Sequence, residues 1–184
     1  MADSKRTEAD KITLGSGDLM IKEYTDTMPA YTEFKEETDL LGRIKGGATL
    51  EYTGEWYEAK DDTGKVVKTI ITEETATLKS GIITWNGKTL EKLCSTARVT
   101  ESGGIRTVKI GGTANNNGKS YALCFHHVDP TDGDVWLVIR AVNKGGFSLA
   151  FAKDAETVID AEFSCLPQDD EGTLIQYIEQ IAAT

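Results

Sequence analysis

Ala48-Thr-Leu-Glu-Tyr-Thr-Gly-Glu-Trp-Tyr-Glu-Ala59 and Lys65-Val-Val-Lys-Thr-Ile-Ile-Thr-Glu-Glu-Thr-Ala-Thr-Leu-Lys-Ser80, joined through Asp61-Asp62-Thr63-Gly64, decide the fold. Both halves are rich in β-branched and aromatic residues, which pack well on a pleated surface. The Asp-Asp-Thr-Gly connection suits a hairpin, because aspartate bonds the turn backbone and glycine accepts a left-handed conformation. The spacing therefore predicts a long antiparallel hairpin over 48–80. In its second strand Ile70, Ala76 and Leu78 fall on one face, and Thr69, Glu73, Thr75, Thr77 and Lys79 on the other. A hairpin of this length on a small domain is expected to reach for something.

The rest of the chain reads in the same way. Short strands are expected at Ile12–Leu14 and Leu19–Tyr24, then at roughly 105–111, 120–128, 135–142, 147–153 and 157–166. Paired glycines at 46–47, 103–104, 111–112 and 145–146 punctuate them. Between 147 and 166 the apolar residues Phe147, Leu149, Phe151, Ile159, Ala161 and Phe163 hold odd positions, while Asp154, Glu156, Asp160 and Glu162 hold even ones. One face is thus core and the other wet and negative. The helix expected over 88–97 places Leu90, Leu93, Cys94 and Ala97 on one stripe, with Asn86 or Thr89 as cap. Thr173–Ile181 fits strand and helix equally. Residues 1–11 are polar and read as a flexible arm, and 25–39 as an acidic loop long enough to suggest a role. The expected architecture is mainly β: a two-sheet antiparallel sandwich or barrel with one flanking helix, a long hairpin and an N-terminal arm, as one domain over 1–184.

Composition narrows the function classes. The chain has 184 residues, 39 % hydrophobic and 27 % charged, which suffices for a core without disulfides or metal. The first thirty residues lack an apolar stretch of the secretory kind, and no apolar run approaches a membrane span. Three widely spaced cysteines, Cys94, Cys124 and Cys165, make neither a disulfide framework nor a zinc ribbon, and read as small buried hydrophobes. The net charge of −10 argues against gripping nucleic acid, while an acidic surface that DNA passes without sticking is still allowed.

Candidate chemistry is sparse. Gly112-Thr-Ala-Asn-Asn-Asn-Gly118-Lys119-Ser120 approaches a phosphate loop, but it has one residue too many between its glycines. It also leads into the strand-like Tyr121-Ala-Leu-Cys-Phe rather than a helix, so a hairpin turn is the reading. His126 and His127 are adjacent on a strand and point apart, so they cannot share a metal. The pairs Glu36-Glu37, Glu73-Glu74 and Asp169-Asp170 read as solvated charge, and Trp56, Trp85 and Trp136 as core or interface anchors. No nucleophile, base or metal set converges, so neither catalysis nor a cofactor is expected.

Two segments carry a family resemblance. Ile12-Thr-Leu-Gly15-Ser-Gly17 followed by an apolar strand resembles the opening of siphophage major tail proteins. Glu37-Thr-Asp-Leu-Leu-Gly42-Arg-Ile-Lys-Gly46-Gly47-Ala-Thr-Leu-Glu-Tyr52 resembles the segment leading into their first long strand. The Asp61–Gly64 turn, the helix near Leu90, Phe151-Ala-Lys153-Asp154 and Gly172-Thr-Leu-Ile follow in matching order, so the similarity spans about Ile12 to Ile181. The resemblance implies a structural subunit of a non-contractile phage tail tube. Hexameric rings would stack around a tape-measure protein, ended by tail terminator and tail-tip proteins, and form the conduit for DNA ejection. It implies assembly in the host cytoplasm, residence in the virion, and no membrane insertion. The hairpin residues Trp56, Tyr57, Asp61, Asp62, Gly64 and Val66 are the candidates for ring stacking, within a bridging stretch 55–70, and 25–39 is a second candidate bridge. Asp154, Asp160 and Glu162, on the wet face, are candidates to line an acidic lumen that repels phosphate. Two other readings stand beside this one. They are the inner tube of a contractile tail or type VI-like secretion system, and a monomeric β-sandwich binding module.

Overall fold

The computed structural model describes residues 13 and 15–181. Among them ten strands form: β1 (Asp18–Glu23), β2 (Leu40–Gly42), β3 (Ile44–Lys60), β4 (Val66–Ile82), β5 (Arg98–Ser102), β6 (Ile105–Lys109), β7 (Tyr121–His127), β8 (Val135–Asn143), β9 (Ile159–Leu166) and β10 (Ile175–Glu179). Two short helices accompany them, α1 (Glu36–Asp39) and α2 (Gly87–Leu93). The expected arm 1–11 and most of the strand expected at Ile12–Leu14 lie outside the described residues.

The protein is mainly β, with one large antiparallel sheet and α2 packed on it. Hydrogen bonding runs in the order β2-β1-β7-β8-β9-β4-β3. β7 pairs along one side of β8 over Val135–Ala141, and β9 and β10 lie end to end along the other, β10 on Val135–Ile139 and β9 on Arg140–Asn143. Both ends of the order belong to a single stretch of chain, since only Arg43 separates β2 from β3. At that bend Arg43 N–H donates to Thr84 Oγ1 and its carbonyl accepts from Ile83 N–H. The sheet therefore curls around one core without closing a hydrogen-bonded barrel. Inside lie Leu19, Ile21, Leu78, Ile82, Leu123, Ile139, Ile159 and Phe163, covered by Leu90 and Leu93 of α2. Alternation explains the arrangement along β9, where Ile159, Ala161 and Phe163 are buried and Asp160 and Glu162 exposed.

Residues 25–39 are not a free loop. A 3₁₀ turn at Tyr31–Glu33 and α1 fold this stretch onto the outer side of β1, β7 and β8. There Phe34, with Met28 and Tyr31, packs against Met20, Cys124 and Val138. These strands are thus covered on both faces, so Tyr121–Cys124 is a continuous buried run rather than an alternating one.

Four expectations are corrected. α2 ends at Leu93 instead of Ala97, because the Thr96 hydroxyl accepts from Gly111 N–H and the chain turns at Cys94–Ala97. The residues after it form β5, which pairs with β6 through Gly103 and Gly104, both at positive φ. The stretch 112–120 is not a hairpin turn. It holds a 3₁₀ turn at Thr113–Asn115 and carries the chain from the β5–β6 ribbon to β7 of the main sheet. No strand forms at 147–153, where Phe147 and Leu149 pack on the core without a hydrogen-bonded ladder and Phe151 is 80 % exposed. Thr173–Ile181 resolves to a strand, β10.

Candidate functional site

The conspicuous surface is the β3–β4 ribbon. β9 pairs with β4 only over Thr77–Ile82, so from Ala76 outward the two long strands pair with each other alone. The eight residue steps from Tyr52 to Lys60 carry the ribbon about 26 Å beyond the body at ~3.3 Å each. The tip matches the expected chemistry. Asp61 Oδ1 accepts from Thr63 N–H, Thr63 Oγ1–H and Lys65 N–H, at 2.9, 2.7 and 2.9 Å. These bonds, that from the Thr63 hydroxyl foremost, hold the Asp61 carboxyl below its ordinary range. Gly64 sits at φ 83°, and Asp62 is exposed beside it. Asp169, with Gly172 at φ 81°, builds the same closure from Glu171 and Thr173 N–H ahead of β10.

The ribbon's faces differ from the simple alternation. Thr72 is an extra residue between the pairs Glu55–Glu73 and Trp56–Ile71, a bulge that exchanges the faces of the outer part of β4. Ile71, not Ile70, therefore shares the core-side face with Ala76 and Leu78. A Cβ on Gly54 would touch Ile71 Cδ1 at 2.8 Å and approach Trp56 Nε1 at 3.6 Å, which places all three on that face. Ile70 pairs with Tyr57 on the opposite face. Tyr52, Trp56, Tyr57, Val66, Val67, Ile70 and Ile71 are all exposed, Trp56 at 64 %. The inner apolar stripe thus continues past the domain into solvent. A two-stranded ribbon with this much bare apolar surface is marginal in water by itself.

The three carboxylates expected on a wet face separate. Asp160 and Glu162 do lie on the outer face of β9, beside β4 and β3. They share a shallow groove of about 340 Å³ with Lys45, Thr49 and Lys79. Lys79 Nζ is 2.7 Å from Glu51, whose hydrogen bond raises the lysine's pKa, and Lys45 pairs with Glu156. The face is wet, with lysines interleaved among its carboxylates. Asp154 belongs to the exposed bend after Phe151, off the strand.

The histidines diverge as adjacent strand positions must. His126 Nε2 lies 3.0 Å from Asp134 Oδ2, and its ring stacks on Trp136 at 4.9 Å. His127 is buried, with Nδ1 2.6 Å from the Ser16 carbonyl. Trp85 packs against the core and donates to the Thr157 carbonyl. Burial pushes the Cys124 thiol up to about 12 and that of Cys165 to about 11, making both poor nucleophiles. Among the described residues no group of three His, Cys, Asp or Glu is placed to hold one metal ion, and no helix is long and apolar enough to cross a membrane.

No family model matches the chain, and no curated protein matches it either.

Proposed function

We propose that this protein is a self-assembling structural subunit, a tail-tube protein of a long non-contractile phage tail. Its rings would stack through the β3–β4 ribbon around a tape-measure protein and leave a channel for DNA. One observation carries the reading: a 17-residue-by-17-residue hairpin whose outer part is exposed on both faces, yet bears two tyrosines, a tryptophan and four β-branched aliphatics. Such surface is costly in water, and a contact that buries it in a neighbour removes the cost. A contact between two different patches of the same chain does not close on itself as a two-fold contact does, so it can build rings or filaments. The outer edges of β4 and β10, unpaired among the described residues, offer further strand-pairing sites between subunits. Under this proposal Asp160 and Glu162 face the channel, and the resemblance of the sequence to siphophage major tail proteins supports the whole.

Negative-stain electron microscopy of the concentrated protein tests it. Hollow filaments of uniform width are the expected result. A protein that remains monomeric over a wide concentration range, with and without nucleating tail-tip components, overturns it.

A further inference from the structure

We infer that the acidic face of the β3–β4 ribbon docks on the basic outer face of the β5–β6 hairpin of a second copy of this chain. The inference rests on the self-assembly reading and specifies which surface receives the ribbon.

Charge is distributed unevenly between the two hairpins. Residues 51–75 hold seven carboxylates against three lysines, whereas residues 98–110 hold three cations against one carboxylate, in a chain of net charge −10. Within the ribbon, Glu55 stands directly opposite Glu73. Like charges facing across a strand pair repel, and among the described residues neither carboxylate has an ion-pair partner. Neighbouring carboxylates are already occupied: Glu51 by Lys79, Glu58 by Lys60, and Glu74 by the Tyr52 hydroxyl. The face that carries Glu55 and Glu73 continues inward to Thr53 and Thr75. Outward it continues to Tyr57 and Ile70, then to Ala59 opposite Lys68.

The β5–β6 hairpin shows the converse. Arg98 stands directly opposite Lys109, with Thr100 opposite Thr107 one step along the same face and exposed Ile105 beyond. Among the described residues Arg98 donates only to the Thr96 and Gly111 carbonyls, and Lys109 has no carboxylate partner. The third cation, Arg106, is on the other face. There it pairs with Glu101 at 2.8 Å and packs with Val108 against Gly87 at the start of α2.

Each hairpin thus keeps one uncompensated like-charge pair, of opposite sign, flanked by a threonine pair and exposed aliphatic surface. Bringing the two faces together relieves both repulsions and covers Tyr57, Ile70 and Ile105. The donor and acceptor patches differ, so each copy offers one of each and the contact propagates.

Two double variants test this. One is Glu55→Lys with Glu73→Lys, which gives two basic faces. The other is Arg98→Glu with Lys109→Glu, which gives two acidic ones. All four positions are exposed, so folding is expected to survive. Each variant alone should need at least about tenfold more protein to half-assemble than the wild type, because two attractions become repulsions. Mixing the two should restore assembly, since each supplies the face the other needs, and raised salt should weaken the mixture. Assembly of either variant at the wild-type concentration, or failure of the mixture to recover, overturns the contact while leaving the tube reading intact. A wild type that never assembles overturns the tube reading. The mixture then decides the contact by itself, because a heterodimer seen in sedimentation retains it and its absence removes it.

Discussion

Trp56→Ala separates a residue that holds the fold together from one held ready for a partner, on the ribbon face opposite Glu55 and Glu73 and so in a contact separate from theirs. Trp56 is 64 % exposed and lies on the Ile71–Gly54 face of the ribbon. A fully covered tryptophan buries ~200–250 Å², so roughly 140 Å² of this one remains available to a neighbour. At ~25 cal/mol per Å², covering it contributes about 3.5 kcal/mol per contact, or a few hundredfold (~400) in association constant. Loss of the side chain from the isolated chain should change stability by only about 0.5 kcal/mol, as for other exposed positions. Urea denaturation of dilute protein measures the second quantity. Light scattering or sedimentation across a concentration series measures the first. If the variant lost 2 kcal/mol or more of monomer stability, Trp56 would be a fold residue and the reasoning would fail. It would fail equally if assembly began at an unchanged concentration.

Phe163→Ala, at the largest fully buried side chain, should cost about 3–5 kcal/mol in urea denaturation, and a loss under 1 kcal/mol would place the core elsewhere. Gly42→Ala drives a methyl into the Thr84 carbonyl and to 2.6 Å from Ile82 Cγ2, so the Arg43 bend must shift; we expect about 1–3 kcal/mol of destabilisation, and an unchanged melting temperature would refute the close approach. Cys124 and Cys165, pushed up to about 12 and about 11, should resist a thiol reagent at pH 8 until the protein unfolds. Their folded values are raised above the ordinary 9.0. The stability they support is therefore complete below about pH 9 and is lost as pH rises from there toward 12; a thermal melt that stays flat across that window would contradict the burial.

The long hairpin was legible because turn chemistry and β-branched content are local properties. Asp61 and Gly64 close the turn wherever the domain sits. The Ile159, Ala161, Phe163 alternation was likewise read correctly, since period two reports facing directly. Other features depended on neighbours. The bulge at Thr72, which exchanges Ile70 for Ile71, leaves no mark in the composition and appears only once β3 fixes the register. Phe147 and Leu149 satisfy the same alternation by packing side chains on the core without a ladder, so the pattern predicted a strand that did not form. β5 went unseen because Cys94 and Ala97 extend the apolar stripe of α2, although the Thr96 hydroxyl ends the helix there.

What the chain determines by itself is a set of local commitments: extended segments, the turns between them, one capped helix and a strongly acidic balance. These rest on backbone sterics and side-chain chemistry within a few residues, which travel with the sequence. Only the tertiary structure decided that β2 and β3 tie the two ends of one curled sheet together at Arg43, and that residues 25–39 cover β1, β7 and β8. It alone also decided that the outer half of the ribbon finds no cover among the described residues. Those outcomes depend on which edges pair and which faces meet, relations between residues far apart in the chain that no local preference encodes.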